Sequence, residues 1–160
     1  MIILKDIIDE DFINYKKCAM TLIFPYCDFK CDKECGKQVC QNSSLTKMKN
    51  IQIPIESIYE RYINNDLSEA IVCQGLEPFD SWEDLRKIIH FLRIDKKCLS
   101  EIVIYTGFQR CEIADKIQVL SSYQNVIVKF GRFIPDQKSH YDDVLGVELA
   151  SPNQYAEKIS

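Results

Sequence analysis

The chain has 160 residues, of which 46% are hydrophobic and 28% charged, and its formal net charge is −4. This size suits one domain with one core, so residues 1–160 are treated as a single domain. The acidic balance excludes a general nucleic-acid binder, which needs a basic face. No apolar run is long enough to cross a bilayer, and the N-terminal segment MIILKDIIDEDF lacks the features of a secretory signal. We therefore expect a cytoplasmic protein without a nucleic-acid or membrane partner.

The pattern of apolar and polar residues along the chain predicts strands that alternate with helices. The first strand is Ala19–Phe24, a short apolar run, and a helical pattern starts after Pro54. The remaining predicted elements are strands at 69–74, 101–106 and 125–130, helices from 82 and over 111–121, and an extended piece near 144–149. This order is typical of parallel strands joined by right-handed crossovers. The chain is too short for a full eightfold barrel, which takes about 250 residues, so the pattern predicts an open sheet or a partial barrel.

Four of the five glycines lie in the loops that follow these strands, at Gly36, Gly75, Gly107 and Gly131. In a parallel sheet, such loops emerge at the C-terminal edge of the strands, where ligands bind. Glycine there lets the backbone turn tightly and approach a ligand. The four loops together predict one shared site, although any single glycine is equally explained as the end of a strand.

The segment FPYCDFKCDKECGKQVCQN, residues 24–42, carries four of the eight cysteines: Cys27, Cys31, Cys35 and Cys40. In a reducing compartment, clustered cysteines are more typical of metal or redox sites than of disulfides. Thiolates favour zinc or an iron–sulfur cluster. Structural zinc sites commonly use two separated pairs, whereas iron–sulfur ligands often share one loop, so the spacing favours a cluster and leaves zinc as an alternative.

These residues resemble a known family. Cys27-Asp-Phe-Lys-Cys31 resembles the start of the C-x3-C-x2-C motif of radical S-adenosylmethionine (SAM) enzymes, and Cys40-Gln-Asn resembles its end, displaced by an insertion that contains Cys35. Gly75-Leu-Glu-Pro78 resembles the family's GGEP signature. Three further stretches are similar to anaerobic ribonucleoside-triphosphate reductase activating proteins: IYTGF at 104–108, KFGRFIPDQ at 129–137 and ASPNQ at 150–154.

The resemblance implies a partial (β/α) barrel of mostly parallel strands with helical crossovers. It implies a [4Fe–4S] cluster held in the loop 25–42, with SAM bound to its open iron. Reduction of the cluster then cleaves SAM to methionine and a 5′-deoxyadenosyl radical. In the activating branch, that radical abstracts hydrogen from a glycine of a large glycyl-radical enzyme, such as anaerobic ribonucleotide reductase.

The resemblance also assigns residues. The cluster ligands are Cys27 and Cys31, with Cys40 favoured over Cys35 as the third. Glu77 is the expected partner of the SAM ammonium. The other residues expected to contact SAM are Gly75, Thr106, Gly107, Lys129 and Arg132. For Lys129 and Arg132, contact with the partner or simple solvation is an alternative.

Two other functions stay open from the sequence. One is a radical SAM enzyme with a different substrate, and the other is a closed four-cysteine iron–sulfur or zinc module for electron transfer or binding. An activase needs an electron donor such as flavodoxin or ferredoxin. Because radical chemistry must exclude water, we also expect a partner or a homodimer to cover the site.

Overall fold

The computed structural model describes all residues, Met1–Ser160, and centres on a mixed sheet of six strands. The strands are β1 Ile2–Leu4, β2 Asp6–Asp11, β3 Ala19–Phe24, β4 Ile51–Ile53, β5 Ala70–Gly75, β6 Glu101–Tyr105, β7 Val126–Phe130, β8 His140–Asp142, β9 Val147–Leu149 and β10 Tyr155–Lys158. The α-helices are α1 Lys30–Cys35, α2 Ile55–Ile63, α3 Trp82–His90 and α4 Ala114–Leu120. None of the helices is both long and apolar enough to cross a membrane.

The main sheet has the order β10-β7-β6-β5-β3-β2. Its four central strands, β3, β5, β6 and β7, are parallel, while β2 and β10 pair antiparallel at the two edges. The central strands are apolar along almost their whole length because both of their faces are covered. Two small antiparallel pairs, β1 with β4 and β8 with β9, lie outside this sheet.

Three of the four α-helices, α2, α3 and α4, pack on one face of the sheet. Alternate strand residues such as Leu22, Cys73 and Ile104 contact the apolar sides of the three crossover helices there. Ile58 of α2 and Ile88 of α3 are almost completely buried in this cluster. This layer is the larger of two cores, with 23 buried residues against 8 in the other.

The opposite face is covered by irregular chain and by the β8–β9 hairpin rather than by helices. Tyr15, from the segment between β2 and β3, packs with Val72, Val103 and Ile127, and the hairpin contributes Leu145 and Leu149. The Tyr15 hydroxyl donates a hydrogen bond to Glu101 at 2.9 Å, and the Tyr105 hydroxyl donates one to the Asn14 carbonyl at 2.6 Å. These contacts hold the covering segment against the sheet.

The expected partial barrel of the radical SAM type is wrong. The sheet is open, and antiparallel strands at both edges end its parallel part, so no further β/α unit continues it towards closure. The face that would line a barrel is instead filled by Tyr15 and the hairpin. The fold is a sheet-rich α/β arrangement with four short α-helices.

The parallel strands nevertheless bring their C-terminal ends to one edge of the sheet. Phe24 pairs with Gly75 at the ends of β3 and β5, and Tyr105 pairs with Lys129 near the ends of β6 and β7. At Gly75 the backbone has φ +112°, and an added Cβ would lie 2.8 Å from the Phe24 nitrogen. Glycine is therefore required here for β5 to lie against β3 beside the site.

Replacing Gly75 with alanine should destabilise the fold strongly. Both the positive φ and the contact with the β3 backbone oppose a side chain, and we expect a loss of about 3 kcal/mol or more in the free energy of unfolding, measured by urea titration. Gly36→Ala is the matched control, because φ there is +67° but nothing lies within 4 Å of the added Cβ. Its expected cost is about 1 kcal/mol. Equal losses in the two variants would contradict the close approach described here.

Candidate metal and ligand site

A cavity of about 310 Å³ lies at the C-terminal edge of the parallel strands. Its volume is at the lower end of the range for small-molecule sites, which is about 300–1,000 Å³. Much of its wall comes from four segments: the cysteine loop and the ends of β5, β6 and β7. The residues that these segments contribute include Cys27, Cys31, Cys40, Gly75, Glu77, Thr106, Gly107, Lys129 and Gly131.

Three of the four clustered cysteines line this cavity. Cys27, Cys31 and Cys40 are half-buried in its wall, whereas Cys35, the last residue of α1, does not line it. The Cys27 sulfur accepts a hydrogen bond from the Phe29 backbone N–H at 3.2 Å. The geometry thus separates Cys35 from the other three.

The local backbone explains how Cys27 and Cys31 reach the cavity. The Glu77 amide donates to the Tyr26 carbonyl at 2.7 Å, which fixes the start of the cysteine loop beside the end of β5. Phe29 then adopts a left-handed conformation, φ 54°, and the short helix α1 starts at the next residue. Cys31 lies in its first turn, next to Gly107, where an added Cβ would come within 3.9 Å of the Cys31 sulfur.

Burial disfavours the thiolate form of both Cys27 and Cys31 in the metal-free protein. Burial raises the pKa of Cys27 to about 12, against the hydrogen bond from Phe29. Burial also raises the pKa of Cys31, and a backbone hydrogen bond from Phe133 opposes the rise. The carboxylates of Glu77 and Asp80 raise the pKa of Cys27 further. A metal that binds here must displace these protons.

Glu77 is a buried carboxylate with three protein donors. One oxygen accepts from the Phe79 amide at 3.1 Å and the Thr106 hydroxyl at 2.8 Å, and the other accepts from the Gly107 amide at 2.9 Å. Because four lone-pair positions are available, one on Oε2 stays free. Burial raises the pKa of Glu77 to about 7 despite these bonds. Thr106 and Gly107, expected to contact SAM, therefore hold Glu77 in place.

Lys129 brings a buried ammonium to the same cavity. Its side chain donates one hydrogen bond, to the Gly131 carbonyl at 2.9 Å, which leaves two of its N–H groups without a protein acceptor. Burial lowers the pKa of Lys129 to about 8, and the Glu77 carboxylate opposes that change. The cavity wall thus holds one carboxyl group, of Glu77, and one amine, of Lys129, and each has hydrogen-bonding positions that no protein group fills.

Arg132 lies outside this cavity. Its guanidinium binds both carboxylate oxygens of Glu112, at 2.8 and 2.9 Å, and its Nε lies 3.2 Å from Glu34 in α1 without hydrogen-bond geometry. It borders a small neighbouring pocket that also touches Cys27 and Cys31. Arg132 therefore connects the end of β7 to the cysteine loop and does not face the ligand space.

A second arrangement of ligand atoms occurs at Cys27. Its sulfur and carboxylate oxygens of Asp28 and Asp80 all lie within 4.8 Å of one another. Both aspartates are exposed and already engaged, since Asp80 accepts from the Asp28 amide at 3.1 Å and Asp28 lies 3.8 Å from the Lys30 ammonium. This triad has the mixed sulfur and oxygen ligands of a single-ion site.

Sequence reasoning missed several wall residues. Asn42 donates to the Gly75 carbonyl at 2.9 Å and so ties the end of the cysteine loop to β5. Ile13 and Asn14, from the segment between β2 and β3, and Glu148, from the hairpin, also line the cavity. Asn42 follows Cys40 closely enough in the sequence to be suspected. The other three carry no sequence signal, because they depend on how the second face of the sheet is covered.

Comparison of the chain with protein-family models and with curated proteins gives no match. The case for a function therefore depends on the chemistry of the cavity itself. The features that carry it are the three thiols, the buried carboxylate and the buried ammonium.

The buried Glu77 should give the metal-free protein a characteristic pH dependence. Its pKa in the folded state, about 7, lies above the usual 4.5, so the folded state binds this proton more tightly than the unfolded state. The free energy of unfolding should then fall as the pH rises from 5 to 7, by about 3 kcal/mol at most. Lys129 has the opposite effect at higher pH, because its lowered pKa of about 8 adds stability as the pH rises beyond 8.

The measurement is urea unfolding at pH 5, 6 and 7 for the wild type and for Glu77→Gln. The variant has no proton to lose, so its free energy of unfolding should change less over this range than that of the wild type. If the free energy of unfolding changed equally with pH in the two proteins, Glu77 would have an ordinary pKa and would not be buried as described.

Proposed function

We propose that this chain binds a [4Fe–4S] cluster through Cys27, Cys31 and Cys40 and cleaves SAM reductively. The observation that carries the proposal is that three half-buried thiols and the buried pair Glu77 and Lys129 line one cavity. A site with three thiolates leaves one iron of such a cluster without a protein ligand. The family resemblance of the cysteine and GLEP motifs supports the same assignment.

The residues fit a cluster in two respects. The sulfurs of Cys27, Cys31 and Cys40 are not all within 4.8 Å of one another, as they would be around a single ion. A cluster of four irons spreads its thiolates more widely. In addition, Cys27 and Cys31 each receive a backbone N–H, and hydrogen bonds to the sulfurs are among the features that set cluster potentials.

The residues also fit the amino-acid end of SAM, which carries an ammonium and a carboxylate. Glu77 offers a free lone pair on Oε2, and a positive charge beside it would favour its ionised form. Lys129 offers two free N–H groups for a carboxylate. A zwitterion would thus satisfy both groups and repay part of the cost of burying them.

When bound and reduced, the cluster would supply the electron that splits SAM into methionine and a 5′-deoxyadenosyl radical. The chain's own residues would bind and orient SAM and limit its contact with water. We propose a cytoplasmic activase whose partner is a large glycyl-radical enzyme, such as anaerobic ribonucleotide reductase. Flavodoxin or ferredoxin would then be the electron donor, and the partner or a second copy of the chain would cover the cavity.

One observation favours a second candidate, a single-ion site. The ligand atoms of Cys27, Asp28 and Asp80 lie within 4.8 Å of one another. This spacing suits a single zinc ion better than it suits a cluster. Cys27 belongs to both arrangements, so they compete. The exposure of both aspartates and their existing contacts make this site the weaker of the two.

The proposal predicts that SAM perturbs the cluster. Anaerobically reconstituted protein should bind about one [4Fe–4S] cluster per chain, and its EPR spectrum after dithionite reduction should change when SAM is added. Reconstitution that yields only zinc bound at Cys27 would support the single-ion site instead. If protein that carries a full cluster gave the same EPR spectrum with and without SAM, the proposal would be refuted.

Lys129→Met sharpens this test. The variant should keep its cluster but need about 10- to 100-fold more SAM for the same spectral change, since a charged hydrogen bond contributes about 1.5–3 kcal/mol. Lys138→Met is the matched control, because Lys138 is exposed and does not line the cavity. If both variants respond to SAM as the wild type does, Lys129 does not bind the carboxylate.

A further inference from the structure

The spacing between Cys31 and Cys40 raises a geometric problem. Eight residues separate them, and the first of these belong to α1, which leads away from Cys31 along its own axis. Cys40 nevertheless lines the same cavity as Cys31. The chain must therefore reverse between the two cysteines and be held in the reversed position.

Gly36 makes the reversal. It follows α1 directly with φ 67° and ψ 11°, a left-handed conformation that ends the helix and turns the backbone. The returning residues Lys37 and Gln38 are exposed, so packing does not hold them.

Asp32 closes the loop. One oxygen of its carboxylate accepts the backbone N–H groups of both Val39 and Cys40, at 2.7 and 2.8 Å. Hydrogen bonds to an ionised carboxylate are stronger than those between neutral groups. Asp32, the residue after Cys31 in the sequence, thus binds the backbone amide of Cys40.

The helix that carries Asp32 is fixed in turn. Lys30 lies over the Phe108 ring, 4.0 Å from its centre, and Glu34 pairs with Arg132. These contacts tie α1 to the loops that follow β6 and β7. Asp32 therefore holds Cys40 against a helix that is anchored to the site rather than against a free loop.

We infer that Asp32 is a positioning residue that brings Cys40 to the cluster site across the intervening residues 33–39. Its two hydrogen bonds make Cys40, and not the nearer Cys35, the third thiol of the cavity. The inference about the cluster depends on the function proposed above. The loop closure itself is a property of the metal-free chain, so the two can be tested separately.

The first measurement is amide hydrogen exchange by NMR on the metal-free protein. In Asp32→Ala the Val39 and Cys40 amides should exchange at least about tenfold faster than in the wild type, because each loses its acceptor. Asp32→Asn keeps an oxygen acceptor and should recover part of the protection. Lys33→Ala, an exposed position of the same helix, is the matched control and should exchange as the wild type does. Unchanged exchange in Asp32→Ala would overturn the inference.

The second measurement is iron per chain after anaerobic reconstitution. The iron content of Asp32→Ala should fall towards that of Cys40→Ala. The iron content of Asp32→Asn should lie between those of Asp32→Ala and the wild type, and Lys33→Ala should bind as much iron as the wild type. The double variant Asp32→Ala/Cys40→Ala should bind no less iron than Cys40→Ala alone, because Asp32 acts through Cys40. A further loss in the double variant, or full loading of Asp32→Ala, would overturn the inference. A wild type that takes up no iron would instead refute the proposed function and leave the exchange result to decide the loop closure.

Discussion

The buried carboxylate of Glu77 is the contact on which the site depends. It accepts hydrogen bonds from Phe79, Thr106 and Gly107, and so connects the loop after β5 to the loop after β6. Burying a carboxylate is costly, and its pKa rises to about 7 because these hydrogen bonds offset the desolvation only in part. A buried acid with one free lone pair at a cavity wall is typical of a functional site rather than of a stabilising one.

The cavity exists because the two faces of the sheet are covered differently. The helices α2, α3 and α4 pack on one face, whereas Tyr15 and the β8–β9 hairpin cover the other. At the C-terminal ends of the strands this second layer leaves a space bordered by Ile13, Glu148 and the cysteine loop. An open sheet thus provides a ligand space at its strand ends without closing into a barrel, as open α/β sheets commonly do.

The central strands could be predicted from the sequence because they are short, almost wholly apolar runs bounded by polar residues. The edge strands could not, since β2, with the sequence DIIDED, and β10, with YAEK, lack a continuous apolar run. The partial barrel that proved wrong was implied by the family resemblance, whereas the residue pattern had left an open sheet as an alternative. Of the four glycines that follow predicted strands, Gly75, Gly107 and Gly131 line the cavity at this edge, whereas Gly36 does not. The pairing of Arg132 with Glu112 and Glu34 was beyond prediction, because it joins segments far apart in the sequence.

The chemistry proposed for this site requires that SAM be consumed, and not merely bound, at a site of three cysteines. The direct test is the amount of 5′-deoxyadenosine formed per chain by reconstituted protein with dithionite and SAM. We expect product from the wild type and from Cys35→Ala, whose thiol lies outside the cavity, and none above background from Cys40→Ala. No product from a wild type that carries a full cluster would contradict it, as would an active Cys40→Ala variant.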